Sequence, residues 1–470
     1  MAQIHRRDIL KSVGGPLAQR LKGASTHPRK VIVAGGGIAG LSCAWELLRR
    51  GHDPVVLEAA GRPGGHVFTL RDTFADGLYA DVGAEHFTKP GYDLYWAYVN
   101  EFNLPILKYP RREHVIRRIG EQLYSEEMLA DPAILRRFSL NQREVDYLAR
   151  HDWSQFQSLY LKPYTDGFVD EYTPFDAGLN HLDRITVTDL LEKDGASAAA
   201  IGLIGGSHSA LWAVWLDAIM KLRGIPLQPR DLYRLQGGNQ ILTDTLAAKL
   251  GDRVRLGCPV TAIRRGDTAV EVTYREFGRE RTMEADFLVC SLSAVMLRQI
   301  PVTPDWPEHH KYAIGNVPYH TVARVVLQSR TAFWNQDGIS PNLTLGLPAL
   351  HHVWRTADEV RTRRGLLMGA AQPGTTAASA LAGFRKYYPG KSENIEHGLV
   401  WDWSRDPWAM ACETIAFQPG ELPKLWPYVT EPCGRIYFAG AWCDNLNHGQ
   451  DAATRSAHRV AGQIDRFSSS

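Results

Sequence analysis

Residues 30–58 read KVIVAGGGIAGLSCAWELLRRGHDPVVLE. A β-branched run, Val31, Ile32 and Val33, stops at Gly35, Gly37 and Gly40 in the spacing GxGxxG. A helical pattern follows, and a second apolar run, Pro54 to Leu57, ends on Glu58. Each feature answers a physical need: glycine lets a strand turn sharply, lets a pyrophosphate reach the main chain, and lets the helix pack closely on the sheet. The helix N-terminus then offers free N–H groups to the phosphates. Glu58, about 20 residues on, is placed to accept hydrogen bonds from an adenosine ribose. A bare GxGxxG carries little weight; strand, helix, second strand and terminal acid together specify a dinucleotide site.

The following residues, EAAGRPGGHVFTLRDTFADGLYADVGAEHF from Glu58 to Phe87, decide which dinucleotide. This stretch resembles the flavin-containing amine oxidase family, which includes monoamine, polyamine and L-amino-acid oxidases. In that family the ribose acid is followed by R-x-GG-R-x-x-T and then a D-x-G strand, which wrap FAD. Arg62, Gly64, Gly65 and Thr69 match, and Asp81 with Gly83 fits the later piece. His66 stands where the family has arginine; it can still donate to a phosphate, with only partial charge near neutral pH.

The resemblance implies an α/β fold: a Rossmann-like FAD-binding domain of the GR2 type, interleaved with an α+β substrate-binding domain. The division expected is 28–90, 228–300 and 396–470 for the FAD-binding domain, and 91–227 with 301–395 for the substrate-binding domain. A chain of 470 residues suits two domains. Its 44% hydrophobic and 22% charged content is that of a globular protein. The net charge of +2 gives no electrostatic case for nucleic acid or an anionic membrane. Six scattered cysteines without C-x-x-C spacing argue against metal ligation and a disulfide framework. No apolar run is long enough to span a bilayer.

Residues 1–27 read as a tail. His5-Arg6-Arg7-Asp8-Ile9-Leu10-Lys11 resembles a twin-arginine export motif, but the segment after it is broken by Pro16, Gln19, Arg20 and Lys22. A retained basic tail, and so a cytoplasmic protein, is the favoured reading over periplasmic export. Between Lys89 and Arg230 amphipathic patterns, notably Leu161 to Tyr172 and Thr188 to Leu222, predict a helical cap. Trp212, Trp215 and Tyr160 suit its core better than the wall of a tunnel. Gly237-Gly238-Asn239 opens a helix, and by position Val260 would hold the adenine through its backbone.

Three later stretches carry the chemistry. In the family a lysine ten residues before an F-W pair contacts the flavin N5 through water; here the pair is Phe333-Trp334 and the position holds Arg324, whose rigid charged fork cannot simply replace lysine. Trp403 and Phe417-Gln418-Pro419-Gly420 match the segment that passes under the flavin. Within it, Cys412 stands where monoamine oxidases bond covalently to FAD, and it equally suits a small packed residue. Glu413 and Gln450 stand where the family sets two upright aromatic rings; they would bind a cationic or hydroxylated substrate by hydrogen bonds. The closing motif, Gly434 to Gln463, resembles the strand, loop and helix whose N-terminus faces the flavin N1–C2 edge, where negative charge collects on reduction. Gly440, Ala441, Asp451 and Ala452 are the expected contacts, with Asp451 an awkward carboxylate there. His448 and His86 are expected to face substrate. L-amino-acid oxidases place an arginine shortly after the D-x-G strand; here that place holds Glu85-His86, which argues against a simple α-amino acid.

The resemblance thus implies an FAD-dependent oxidoreductase that moves hydride from an amine-bearing carbon to flavin N5, with O2 or another acceptor reoxidising it. A small-molecule amine is the expected partner, and a homodimer is compatible with it. Two alternatives stand: a flavin dehydrogenase, desaturase or isomerase acting on a non-amine substrate, and a flavin-binding subunit without turnover.

Overall fold

The computed structural model describes residues 27–445 and 449–469. The twin-arginine-like run and His448 lie outside them. The elements that position the site are, in chain order, β1 (Lys30–Ala34), α1 (Ile38–Arg49), β2 (Asp53–Leu57), α2 (Ala210–Leu222), β3 (Val254–Arg255), β4 (Phe287–Cys290), β5 (Ala323–Ser329), β6 (Ile395–Asp402), β7 (Ile436–Phe438) and α3 (Gly449–Ser469).

The first sheet has five strands in the order β3-β2-β1-β4-β7, all parallel. Parallel sheets are covered on both faces, and the alternation of side chains shows it. Ile32, Ala34, Leu57, Leu288 and Cys290 enter one core cluster; Val31, Val33, Val56, Phe287 and Val289 enter another. α1 and α3 pack together over the second face, through residues such as Leu41, Leu47, Val460 and Ile464. Because the strands are parallel, Gly35, Glu58, Ser291 and Gly440 all follow strand C-termini at one edge of the sheet. That edge is where open α/β sheets bind ligands.

The second large sheet has seven strands, drawn from Ile116–Ile119, Gln122–Tyr124 and the region between β5 and β6. β5 is sandwiched in it between Gly365–Ala371 and β6, antiparallel to both. Residues 396–402 therefore hydrogen-bond within this sheet rather than the first. Arg324 is the second residue of β5.

The cap is more broken than its periodicity predicts. Leu161 to Tyr172 is no continuous helix: a short helix, Ser158–Leu161, passes into a 3-10 stretch, Lys162–Gly167, with Pro163 in its first turn. Proline lacks the N–H that an α-helix interior needs. Thr188 to Leu222 divides into Val187–Lys193, Ala198–Ile204 and α2, parted at Gly195 and at Gly205-Gly206. Trp215 and Tyr160 are fully buried core residues, as expected. All six cysteines are free, and no metal-holding cluster occurs among the described residues. No helix among them is long and apolar enough to cross a membrane.

Candidate functional site

A cavity of about 1680 Å³ runs from the strand ends of the first sheet to the wall made by the second. Pockets for a single small ligand are typically about 300–1,000 Å³, so this one has room for a dinucleotide and a substrate. Its wall holds Gly35, Gly37, Glu58, Arg62, Gly64, Gly65, His66, Val260, Trp403, Gly440 and Ala441. The same cavity is lined by His86, Arg324, Cys412, Glu413, Gln450 and Asp451. Ala452 is fully buried in the core and Ala453 lines the cavity beside it. Gly40 stands behind the wall for a steric reason: a Cβ there would meet the Gly35 carbonyl oxygen at 2.1 Å. Only glycine lets α1 start so close to the turn.

At the dinucleotide end, Gly36 N–H donates to Glu58 Oε2 at 2.5 Å, and Ala60 N–H donates to Oε1 at 2.7 Å. Burial pushes the Glu58 carboxyl up, and these backbone donors oppose it. A carboxylate has about four acceptor sites, so two remain for a ribose. α1 is preceded by Gly37 as its N-cap residue, with no side-chain cap and no acidic residue in its first turn. Its leading N–H groups are thus open to an anion. Gly64 N–H donates to Gly36 O at 2.8 Å and ties the second glycine pair to the first. Arg62 donates to Gly65 O at 2.9 Å and lies 3.9 Å over the Phe68 ring.

Gly83 has the tightest approach of all, since a Cβ there would lie 1.6 Å from the His66 carbonyl oxygen. That contact holds the 64–69 turn against the strand carrying Asp81. Asp81 accepts from the Thr69 hydroxyl at 2.6 Å and from Asn239 N–H at 2.9 Å, and burial pushes it up to about 6. His66 itself packs at 4.4 Å from the Trp403 ring, and burial lowers its pKa. The lowered pKa favours the neutral imidazole, which still has one N–H to donate to a phosphate.

The charged groups beyond Trp403 form one cluster. Arg324 reaches Glu85 Oε1 at 3.8 Å and donates to Gly83 O at 3.5 Å. Arg111 Nη1 lies 2.6 Å from Glu85 Oε1 and 3.2 Å from His86 Nδ1. Cys412 N–H donates to His320 O at 2.9 Å, and its thiol is pushed up to about 12 by burial and the Glu413 carboxylate. Glu413 and His320 face each other on a two-stranded ribbon, with Nε2 and Oε1 3.7 Å apart. Within the protein, the nearest charged partner of Glu413 is thus a histidine. Gln450 donates to His86 O at 3.3 Å, so it does not stand free beside a ring.

Asp451 is neutralised in a way the sequence did not reveal. Its Oδ2 lies 2.9 Å from Arg223 Nη1, just past the end of α2, so the carboxylate is paired and does not cap α3. Arg455 continues the network to Asp444 at 2.9 Å and Glu171 at 3.1 Å. Arg111, Arg112, Arg223 and Tyr92 all line the cavity and were missed. The adjacent arginines of YPRREH were the available signal, but an arginine pair on a turn is usually a solvated feature.

Buried polar atoms in the wall without protein partners include His66 Nε2, Arg324 Nε and Gln450 Oε1. Such atoms are costly unless a ligand or water satisfies them. Together with the uncapped start of α1 and the glycine cradle, they fit a large polar cofactor.

Comparison with known proteins accords with this geometry. The family model of flavin-containing amine oxidoreductases matches residues 38–465. The chain belongs to that family, whose members are flavin enzymes. An L-amino-acid oxidase of Bothrops atrox is 24% identical over 474 residues, covering 94% of this chain and 90% of its own. One from Demansia vestigiata is 23% identical over 475 residues, covering 94% and 88%. Among solved structures, cyclohexylamine oxidase from Brevibacterium oxydans IH-35A has a TM-score of 0.76 at 19% identity, covering 94% of this chain and 99% of its own. Putrescine oxidase bound to putrescine has a TM-score of 0.76 at 20% identity, covering 93% and 99%. At these identities the solved structures speak for the fold, a mixed α/β flavoenzyme architecture.

Proposed function

We propose that the chain binds FAD along this cavity and oxidises an amine beside it. The carrying observation is continuity: the Gly35–Gly40 turn and Glu58 share one cavity with Arg324, Glu413 and the first turn of α3. FAD, when bound, supplies a hydride acceptor at N5 that O2 or another acceptor then reoxidises.

The residues of the chain bind, orient and screen. Glu58 receives the adenosine ribose, the start of α1 the pyrophosphate, and Val260 the adenine through its backbone. Gly440, Ala441 and the start of α3 hold the other end. The positive pole of α3 favours negative charge at its N-terminus, and Arg223 keeps Asp451 from cancelling it. Arg324 is locked by Glu85 and Gly83 O, so its charge is fixed in place. Glu413, half-exposed beside His320, offers a carboxylate to a cationic amine as it enters. His86, held by Arg111, is a candidate donor to substrate. We propose that Cys412 packs as a small residue and leaves FAD non-covalently bound.

The test is an amine panel with peroxide detection across pH. Only the free amine can lose hydride, so kcat/KM should rise with pH through the substrate's ionisation. A flat profile contradicts amine oxidation. Flavin reduction without peroxide would point to the dehydrogenase alternative, which the arginine at 324 favours.

A further inference from the structure

The turn Pro110–Arg112 brings two arginines to the cavity wall, and only one has a carboxylate partner. Asn342 Nδ2 donates to the carbonyls of Pro110 and Glu113, each at 2.8 Å, and so fixes the turn to the second sheet. Arg111 is clamped between Glu85 and the Trp354 ring, 4.0 Å from its guanidinium. Arg112 donates from Nη1 to Pro229 O at 2.8 Å. No carboxylate among the described residues forms an ion pair with it. Asp152, the more distant carboxylate that acts on it, is held by Arg230. Glu85 is already shared by Arg111 and Arg324.

Arg111 and Arg324 thus share Glu85, with Glu413 also acting on Arg324, and Arg112 is left without a paired carboxylate in this wall. A partly buried excess of positive charge is unfavourable unless a counter-charge arrives. Burial and the neighbouring Arg111 lower the Arg112 pKa to about 10, the direction expected for a cation lacking its anion. The backbone contact and the pinned turn also hold the fork before any ligand binds, which reduces the ordering cost of recognition.

We infer that Arg112 is the primary contact of an anion subsite, and that the substrate carries a carboxylate, or a group of like charge and shape, in addition to the group oxidised. The identity of the oxidised group rests on the amine-oxidising reading; the anion subsite does not. Planar guanidinium matches carboxylate in a paired geometry that lysine cannot reproduce. The subsite belongs to the segment at 109–112 and not to the Glu85-His86 position after the D-x-G strand. The absence of an arginine at that position therefore does not exclude a carboxylated amine.

Isothermal calorimetry on the flavin-loaded protein, with benzoate and neutral benzamide at equal ionic strength, tests the subsite without turnover. Benzoate should bind tighter than benzamide. Arg112→Gln should weaken benzoate by roughly tenfold to a hundredfold, the range for losing a charge-assisted hydrogen bond, and leave benzamide unchanged. Arg112→Lys should restore part of the loss. Equal binding of benzoate and benzamide to the unaltered protein overturns the inference, even if the variants fail to fold. So does an Arg112→Gln protein that binds benzoate as before. Benzoate binding without any amine being oxidised would instead retain the subsite and reject the amine reading.

Discussion

Arg223 Nη1 lies 2.9 Å from Asp451 Oδ2, and the pair joins the end of α2 to the first turn of α3. Their side chains are 12% and 4% exposed, so the charges are largely withdrawn from water. Breaking such a pair leaves one charge uncompensated and costs about 3–5 kcal/mol. Arg223→Met should destabilise the protein by about that amount in urea unfolding. Arg223→Met combined with Asp451→Leu should recover much of the loss. Equal stability of the single variant and the unaltered protein would show that the pair holds nothing together.

Gly83 passes so close to the His66 carbonyl that an added methyl group has no space. Gly83→Ala should push the 64–69 turn away from the Asp81 strand. Flavin content of the purified protein should fall sharply, read as released flavin per chain. Gly77→Ala meets no atom within 4 Å but sits at φ +74°, so its cost should be confined to backbone strain of about 1 kcal/mol, with flavin retained.

Asp81 predicts a pH dependence of stability. Its folded pKa, about 6, lies above the ordinary value of 3.8, so the folded state holds its proton more tightly. The contribution is fully present below about pH 3.8 and is lost as pH rises through 6. A shift of this size corresponds to about 3 kcal/mol. The stability of the unaltered protein relative to Asp81→Asn should therefore decline between pH 4 and 6. A difference that grows with pH contradicts the assignment.

Cys412 should behave as an inert thiol. With its pKa near 12, little thiolate exists at neutral pH to bond or be alkylated. Acid precipitation should release the flavin to the supernatant from both the unaltered protein and Cys412→Ala. Colour retained in the pellet of the first alone would establish a covalent bond at this residue.

What the sequence disclosed depended on the range of the interaction. The Gly35–Gly40 turn and the run to Glu58 are local, so one strand-turn-helix pattern specifies them. Arg223 and Asp451 are far apart in the chain, and no periodicity or spacing announces their pairing. The same holds for Arg112, whose placement depends on Asn342 and Pro229 in distant segments. The cap was misread where Pro163, Gly195 and Gly205-Gly206 interrupted an otherwise helical pattern, since apolar periodicity survives a break that the backbone does not. The burial of His66 against Trp403, which lowers its pKa, is likewise a tertiary fact.

On the proposed function, a flavin lies in the cavity between the first sheet and the start of α3 and takes electrons from an amine beside Arg324 and Glu413. Anaerobic titration of the purified protein with amines, with and without a carboxylate, followed by visible absorbance, tests it most directly. The expected result is a yellow protein whose flavin band bleaches with an amine. A colourless protein that cannot be reconstituted with FAD, or a flavin that no amine reduces, would contradict it.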